Sequence, residues 1–112
     1  MRLAIVLVLV AACSKKAEDK KPAPPPLPAA EVQRDRDACK AYVDRVCGCT
    51  SPAAQKQCPL ARALPDALGV ALDVAMNPAT ERDDALRAQV NVRETVKECI
   101  EQMAKLPALG CP

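Results

Sequence analysis

The chain has 112 residues, 50% of them hydrophobic, with 16 basic against 14 acidic side chains, one aromatic residue (Tyr42) and no histidine. That length holds one small domain and no more. The near-neutral charge and missing aromatics exclude nucleic-acid binding, which needs a basic patch and stacking rings, and the missing histidine removes the commonest general base and nitrogen ligand for metals.

The first element is a leader. Met1-Arg2 starts it with a positive charge, Leu3 to Val10 is an unbroken apolar run, and Val10-Ala11-Ala12-Cys13 closes it with small residues. Charged start, short apolar core and small-residue cleavage site together make a secretory signal over residues 1–12. A membrane span needs about 20 apolar residues, and Ser14-Lys15-Lys16 interrupts this run too early. With cysteine directly after the small residues, the segment resembles the lipobox of bacterial lipoproteins. The resemblance implies cleavage before Cys13, acylation of its thiol and anchoring of the mature chain in a lipid bilayer. Ser14 stands where that family can carry an inner-membrane retention aspartate, so in a cell with two membranes the resemblance implies the outer one, facing the periplasm.

Residues 13–30 follow as the lipidated cysteine and a tether. Lys15, Lys16, Lys20 and Lys21 make its first half charged, and Pro22, Pro24, Pro25, Pro26 and Pro28 make its second half proline-dense. Such a segment favours an extended polyproline conformation, at about 3.1 Å per residue, and acts as a spacer. A proline-rich ligand for an aromatic groove is the functional alternative, but the position beside the anchor favours the spacer.

Residues 31–112 are expected to form an all-α, cysteine-rich domain: a small disulfide-stapled three-helix bundle. The first helix is predicted over Glu31 to Val46, with Val32, Cys39, Val43 and Val46 on one face and Gly48 ending it. The second begins at Ser51-Pro52, an N-cap followed by proline in the first turn. Pro59 and Pro65 predict a short turn and a kink before a better helix. There Leu60, Leu64, Leu68, Leu72 and Met76 form an i, i+4 stripe that ends at Asn77-Pro78. The third is predicted from about Pro78 or Thr80 to Leu106, where Thr80–Asp83 resembles a capping box with aspartate in place of glutamate. Its buried stripe is Ala85, Val92, Val96, Cys99, Met103 and Leu106. Tyr42 is expected to pack against the bundle.

A core of Ala, Leu and Val this small needs reinforcement. Cys39, Cys47, Cys49, Cys58, Cys99 and Cys111 supply an even number of cysteines behind an export signal, so three disulfides are expected. An up-down-up bundle puts the ends of helices one and three at one pole, with Cys39 and Cys99 each about two turns back from those ends. Spacing alone leaves 15 pairings open; this arrangement prefers Cys39–Cys99, and the other four cysteines pair most simply as Cys49–Cys58 and Cys47–Cys111. Cys47-Gly48-Cys49 also admits a metal or thiol-exchange site, but no histidine and no second paired-cysteine motif complete a ligand set, so no metal or cofactor is expected.

No phosphate loop or nucleophile elbow occurs. Glu94, Glu98 and Glu101 interleave with Arg93, Lys97 and Lys105 as a solvated helix face. The residues predict no catalytic set. They predict a membrane-anchored, non-enzymatic module that binds a protein or cell-envelope partner, with metal or thiol handling at Cys47 and Cys49 as the alternative.

Overall fold

The computed structural model describes residues 23–112, so the leader, Cys13 and the lysine-rich half of the tether lie outside the described residues. Three helices, α1 (Ala29–Gly48), α2 (Pro52–Met76) and α3 (Arg82–Ala104), are followed by a 3₁₀ turn at Leu106–Leu109. Each helix packs against the other two, and the described residues contain no strand. The fold is an all-α, disulfide-stapled three-helix bundle.

The packed domain begins before Glu31. Leu27 is buried in the core, and Gln89, the buried polar side chain of α3, donates from Nε2 to the Pro25 carbonyl at 3.1 Å. The proline-rich stretch that the sequence assigns to the tether thus ends as a strap laid on the bundle. Its extended Pro28 (φ −58°, ψ 141°) delivers the chain into α1. One leucine at the end of a proline run is too weak a pattern to read as core.

Gly48 is the last residue of α1, but not through a left-handed glycine turn. Cys49 is extended (φ −79°, ψ 136°), and among the described residues the only positive-φ glycine is Gly110. In α2, Ser51 caps as expected, its Oγ accepting from the Ala54 amide at 3.1 Å. The expected turn at the prolines gives way to one helix of 25 residues that contains both Pro59 and Pro65. Each interior proline removes one backbone bond and costs about 3 kcal/mol. Burial of Ala54, Cys58, Ala61 and Leu68, before and between and after the two prolines, holds the backbone helical through both.

The capping box at Thr80–Asp83 does not form. Thr80 is drawn back onto α2, its Oγ1 donating to the Val74 carbonyl at 2.8 Å, and Asn77 Oδ1 accepts from the Ala79 amide at 2.9 Å. The hydroxyl therefore satisfies the C-terminus of one helix instead of the N-terminus of the next. Glu81 occupies the N-cap of α3 with no side-chain bond, and Asp83 and Asp84 favour its positive end.

The disulfides are Cys39–Cys99, Cys47–Cys58 and Cys49–Cys111, with Cα separations of 5.0, 4.8 and 5.8 Å. The first is the pair expected from the helix arrangement. The other two correct the expected Cys49–Cys58 and Cys47–Cys111 pairs, which exchange partners. The reason is helix phase. Cys47 is still within α1 and faces α2, where Cys58 is buried about two turns inside. Cys49 has left the helix, and its extended backbone reaches the strand of chain after α3. Ser51 Oγ donates to the Leu109 carbonyl at 2.6 Å there, and Arg45 Nη2 donates to the Pro112 carbonyl at 3.2 Å. The left-handed Gly110 (φ 83°) turns Cys111 into position, its amide donating to the Leu106 carbonyl at 3.1 Å.

Candidate functional site

The i, i+4 stripe of α2 is only half buried. Leu68 and Leu72 are in the core, whereas Leu60 and Met76 are exposed (68% and 41%). At 100° per residue a strict i, i+4 row drifts around the helix. Alanine fills the contact positions toward the α2–α3 turn: Ala71 and Ala75 of α2 and Ala85 and Ala88 of α3 are all buried. Small side chains bring the two helices close on the core side. On the outer side Val70 (66% exposed) and Val74 (37%) stay open to solvent.

The result is a shallow groove of about 850 Å³ along α2 and α3. Ala67, Val70, Ala71 and Val74 of α2 and Ala88 of α3 line its apolar part. Asp84, Arg87, Asn91 and Glu94 of α3 form a polar wall, and Thr80 and Glu81 close the end at the α2–α3 turn. The bundle exposes a second apolar feature that continues this floor. Leu60, Ala63, Ala67, Val70 and Val74 are all exposed and fall at alternating spacings of three and four residues. That is the spacing of a helix–helix seam, yet among the described residues no helix covers it.

Carboxylates flank the seam on both sides. Glu81, Asp84 and Glu94 stand on the α3 side against the single guanidinium of Arg87. On the far side, Asp66 and Asp73 sit about 100–120° around α2 from Ala67 and are exposed. The ion pairs among the described residues are Lys40–Asp44, Arg82–Asp83 and Lys97–Glu101, so none neutralises these five. The interleaved charges expected to form one solvated face are thus divided: Lys97 and Glu101 pair at 3.7 Å on one side of α3, while Glu94 belongs to the groove wall.

A smaller depression of about 380 Å³ lies between α1 and α3, with Asp35, Val96 and Ile100 among its lining. Burial, together with the charge of Glu31, raises the Asp35 carboxyl above its usual range, and Arg34 partly offsets this. Tyr42 is buried as expected, and burial, reinforced by Glu98, raises its hydroxyl pKa.

Cys47 and Cys49, the candidate metal or thiol pair, are held in two different disulfides, so neither sulfur is a thiolate available to a metal. Among the described residues, no cluster of three or more Cys, Asp or Glu could hold a metal ion, and no helix is long and apolar enough to cross a membrane. Comparison with family models, with curated proteins and with solved structures finds no match to this chain.

The sequence reading missed the groove because it assigned α2 a single apolar row. The signal was present: Val70 and Val74 are large apolar residues outside that row, four apart on a different face.

Proposed function

We propose that this protein is a membrane-anchored, non-enzymatic binding module that presents the α2/α3 groove to a protein partner. The observation that carries the reading is an apolar seam left uncovered on a domain otherwise closed by three disulfides. Isolated exposed apolar residues are ordinary, whereas a contiguous row with a polar rim is a feature of interaction surfaces. The lipobox-like Val10-Ala11-Ala12-Cys13 supports anchoring through acylated Cys13, and Ser14 supports an outer-membrane address facing the periplasm. The lysine- and proline-rich stretch then serves as the spacer.

Two measurements test the reading. Intact-mass analysis of membrane fractions gives a mature chain beginning at acylated Cys13, and Cys13→Ala releases it from the membrane. A photo-crosslinking residue at Val70 captures an envelope protein in cells, whereas one at exposed Lys40, on α1, does not. Equal capture from both positions, or none from Val70, refutes the assignment of the groove.

A further inference from the structure

We infer that the α2/α3 groove takes a cationic amphipathic helix as a fourth helix of the bundle. The inference rests on the binding-module reading and names the chemistry of the partner. Leu60, Ala63, Ala67, Val70 and Val74 repeat at the three-four spacing that accepts knobs from another helix. From Leu60 to Val74 the seam runs about 21 Å at 1.5 Å per residue, four turns of a partner helix. A strand or irregular peptide has no side-chain period that matches it.

Charge decides which helix. Five carboxylates (Asp66, Asp73, Glu81, Asp84, Glu94) border the seam and none is in an ion pair among the described residues. Arg87 is the cation among the groove's lining, Arg62 stands one turn before Asp66 on the far shoulder, and Lys56 lies one turn beyond Leu60, so the five carboxylates outnumber the three cations along the seam. A helix with apolar residues at its a and d positions and lysine or arginine on both shoulders meets apolar with apolar and anion with cation.

The same charges disfavour the competing occupants. A second copy laid antiparallel along α2 brings Asp66 and Asp73 of one chain against those of the other. An anionic bilayer surface is repelled by the five carboxylates. The chain's own lysine-rich segment, Ser14 to Lys21, has Ala17 as its one apolar residue and cannot fill an apolar floor.

The test uses the full oxidised chain in phosphatidylcholine nanodiscs and two fluorescent helical peptides of about 18 residues. Both carry leucine at a and d; one has lysine and the other glutamate at e and g. Fluorescence anisotropy, referenced to empty discs, is expected to give saturable binding of the lysine peptide and binding about tenfold weaker or worse for the glutamate peptide. The lysine-peptide affinity falls as salt rises from about 50 to 300 mM. Val70→Asp/Val74→Asp weakens it about tenfold or more, with thermal midpoint and disulfides unchanged. Asp66→Lys/Asp73→Lys/Asp84→Lys inverts the preference between peptides. Equal binding of both peptides, or lysine-peptide binding indifferent to Val70→Asp/Val74→Asp, overturns the inference. So does a dimer in sedimentation that Val70→Asp abolishes, which gives the seam to a second copy. The two readings fail separately: a partner crosslinked at Val70 that carries no basic helix overturns this inference and leaves the binding-module reading standing.

Discussion

Removing the Cys39–Cys99 bridge by Cys39→Ala/Cys99→Ala is expected to cost about 4.4 kcal/mol, of which the bridge itself contributes less than its place in the sequence suggests. The bond spans 60 residues, and a loop of that size closed alone lowers the unfolded-state entropy by about 4.3 kcal/mol. It is not closed alone. Cys49–Cys111 already ties the same two chain segments, so Cys39–Cys99 closes a ring running from Cys39 to Cys49 and back from Cys111 to Cys99. That ring of about 22 residues reduces the entropic term to about 3.4 kcal/mol. Both sulfurs are fully buried, and the void left by alanine adds about 1 kcal/mol. Cys47–Cys58 spans 11 residues, no other bridge shortens its loop, and Cys47 is only half buried. Its removal is expected to cost about 2.8 kcal/mol. Urea unfolding of the two double variants, with the slope fitted separately for each, should rank Cys39/Cys99 as the costlier loss by about 1.5 kcal/mol. A gap of about 2.5 kcal/mol, that of a 60-residue loop closed alone, would refute the ring argument, and equal costs or the reverse order would refute the burial term.

Other consequences follow from the pairing, the strap and the shifted carboxyl. Cys47→Ser should free the thiol of Cys58, not that of Cys111; alkylation and peptide mapping of the unreduced chain identify which. Leu27→Ala should destabilise the domain by about 2 kcal/mol, the low end for a buried leucine at the edge of a core, while the same change at exposed Leu60 should leave the urea midpoint nearly unchanged. Asp35 has its pKa raised in the folded state, so the fold binds its proton more tightly than the unfolded chain does, and the ionised form opposes folding. Asp35→Asn should therefore raise the melting temperature at pH 7, and the gain should disappear as pH falls below the ordinary aspartate value of 3.8.

The helical fold was legible because its signals are local. Ser51-Pro52 starts α2, Asn77-Pro78 ends it, and six cysteines in a small alanine-rich domain imply bridges. The Cys39–Cys99 pair followed from topology, because it joins two helix interiors. The pairing of Cys47 and Cys49 turned on which of two residues, separated by one glycine, is the last to face inward, and that is fixed by the exit of α1 at tertiary contacts. Proline gave the wrong punctuation in α2, since its local cost is outweighed by buried neighbours on both sides. Thr80 was read forward onto α3 when its hydroxyl bonds backward onto α2. The groove went unread for a related reason: two apolar faces overlap on one helix, and periodicity alone does not say which of them the other helices cover.

The covalent staples are distributed unevenly, and the groove lies where they are absent. Cys47–Cys58 and Cys49–Cys111 close the pole where α1 ends and α2 begins, and Cys39–Cys99 crosses the middle of α1. No bridge touches α2 beyond Cys58 or α3 before Cys99. That half of the bundle is held by Leu68, Leu72 and Val92 and by an alanine seam, which buries little apolar area per residue. Its stability is expected to be the lowest in the domain, because local opening there breaks no disulfide and exposes few large side chains. Native-state hydrogen exchange should find the amides of Val74–Met76 and Ala85–Gln89 opening at lower free energy than those of Val46, Ala61 and Cys99. Reducing the disulfides should narrow the difference by weakening the stapled half. A partner helix seated against Val70 and Val74 would supply the large apolar contacts this half lacks, so its binding should slow exchange at those amides most. Uniform protection along α2 in the free protein would contradict the picture of a stapled pole and a compliant, groove-bearing one.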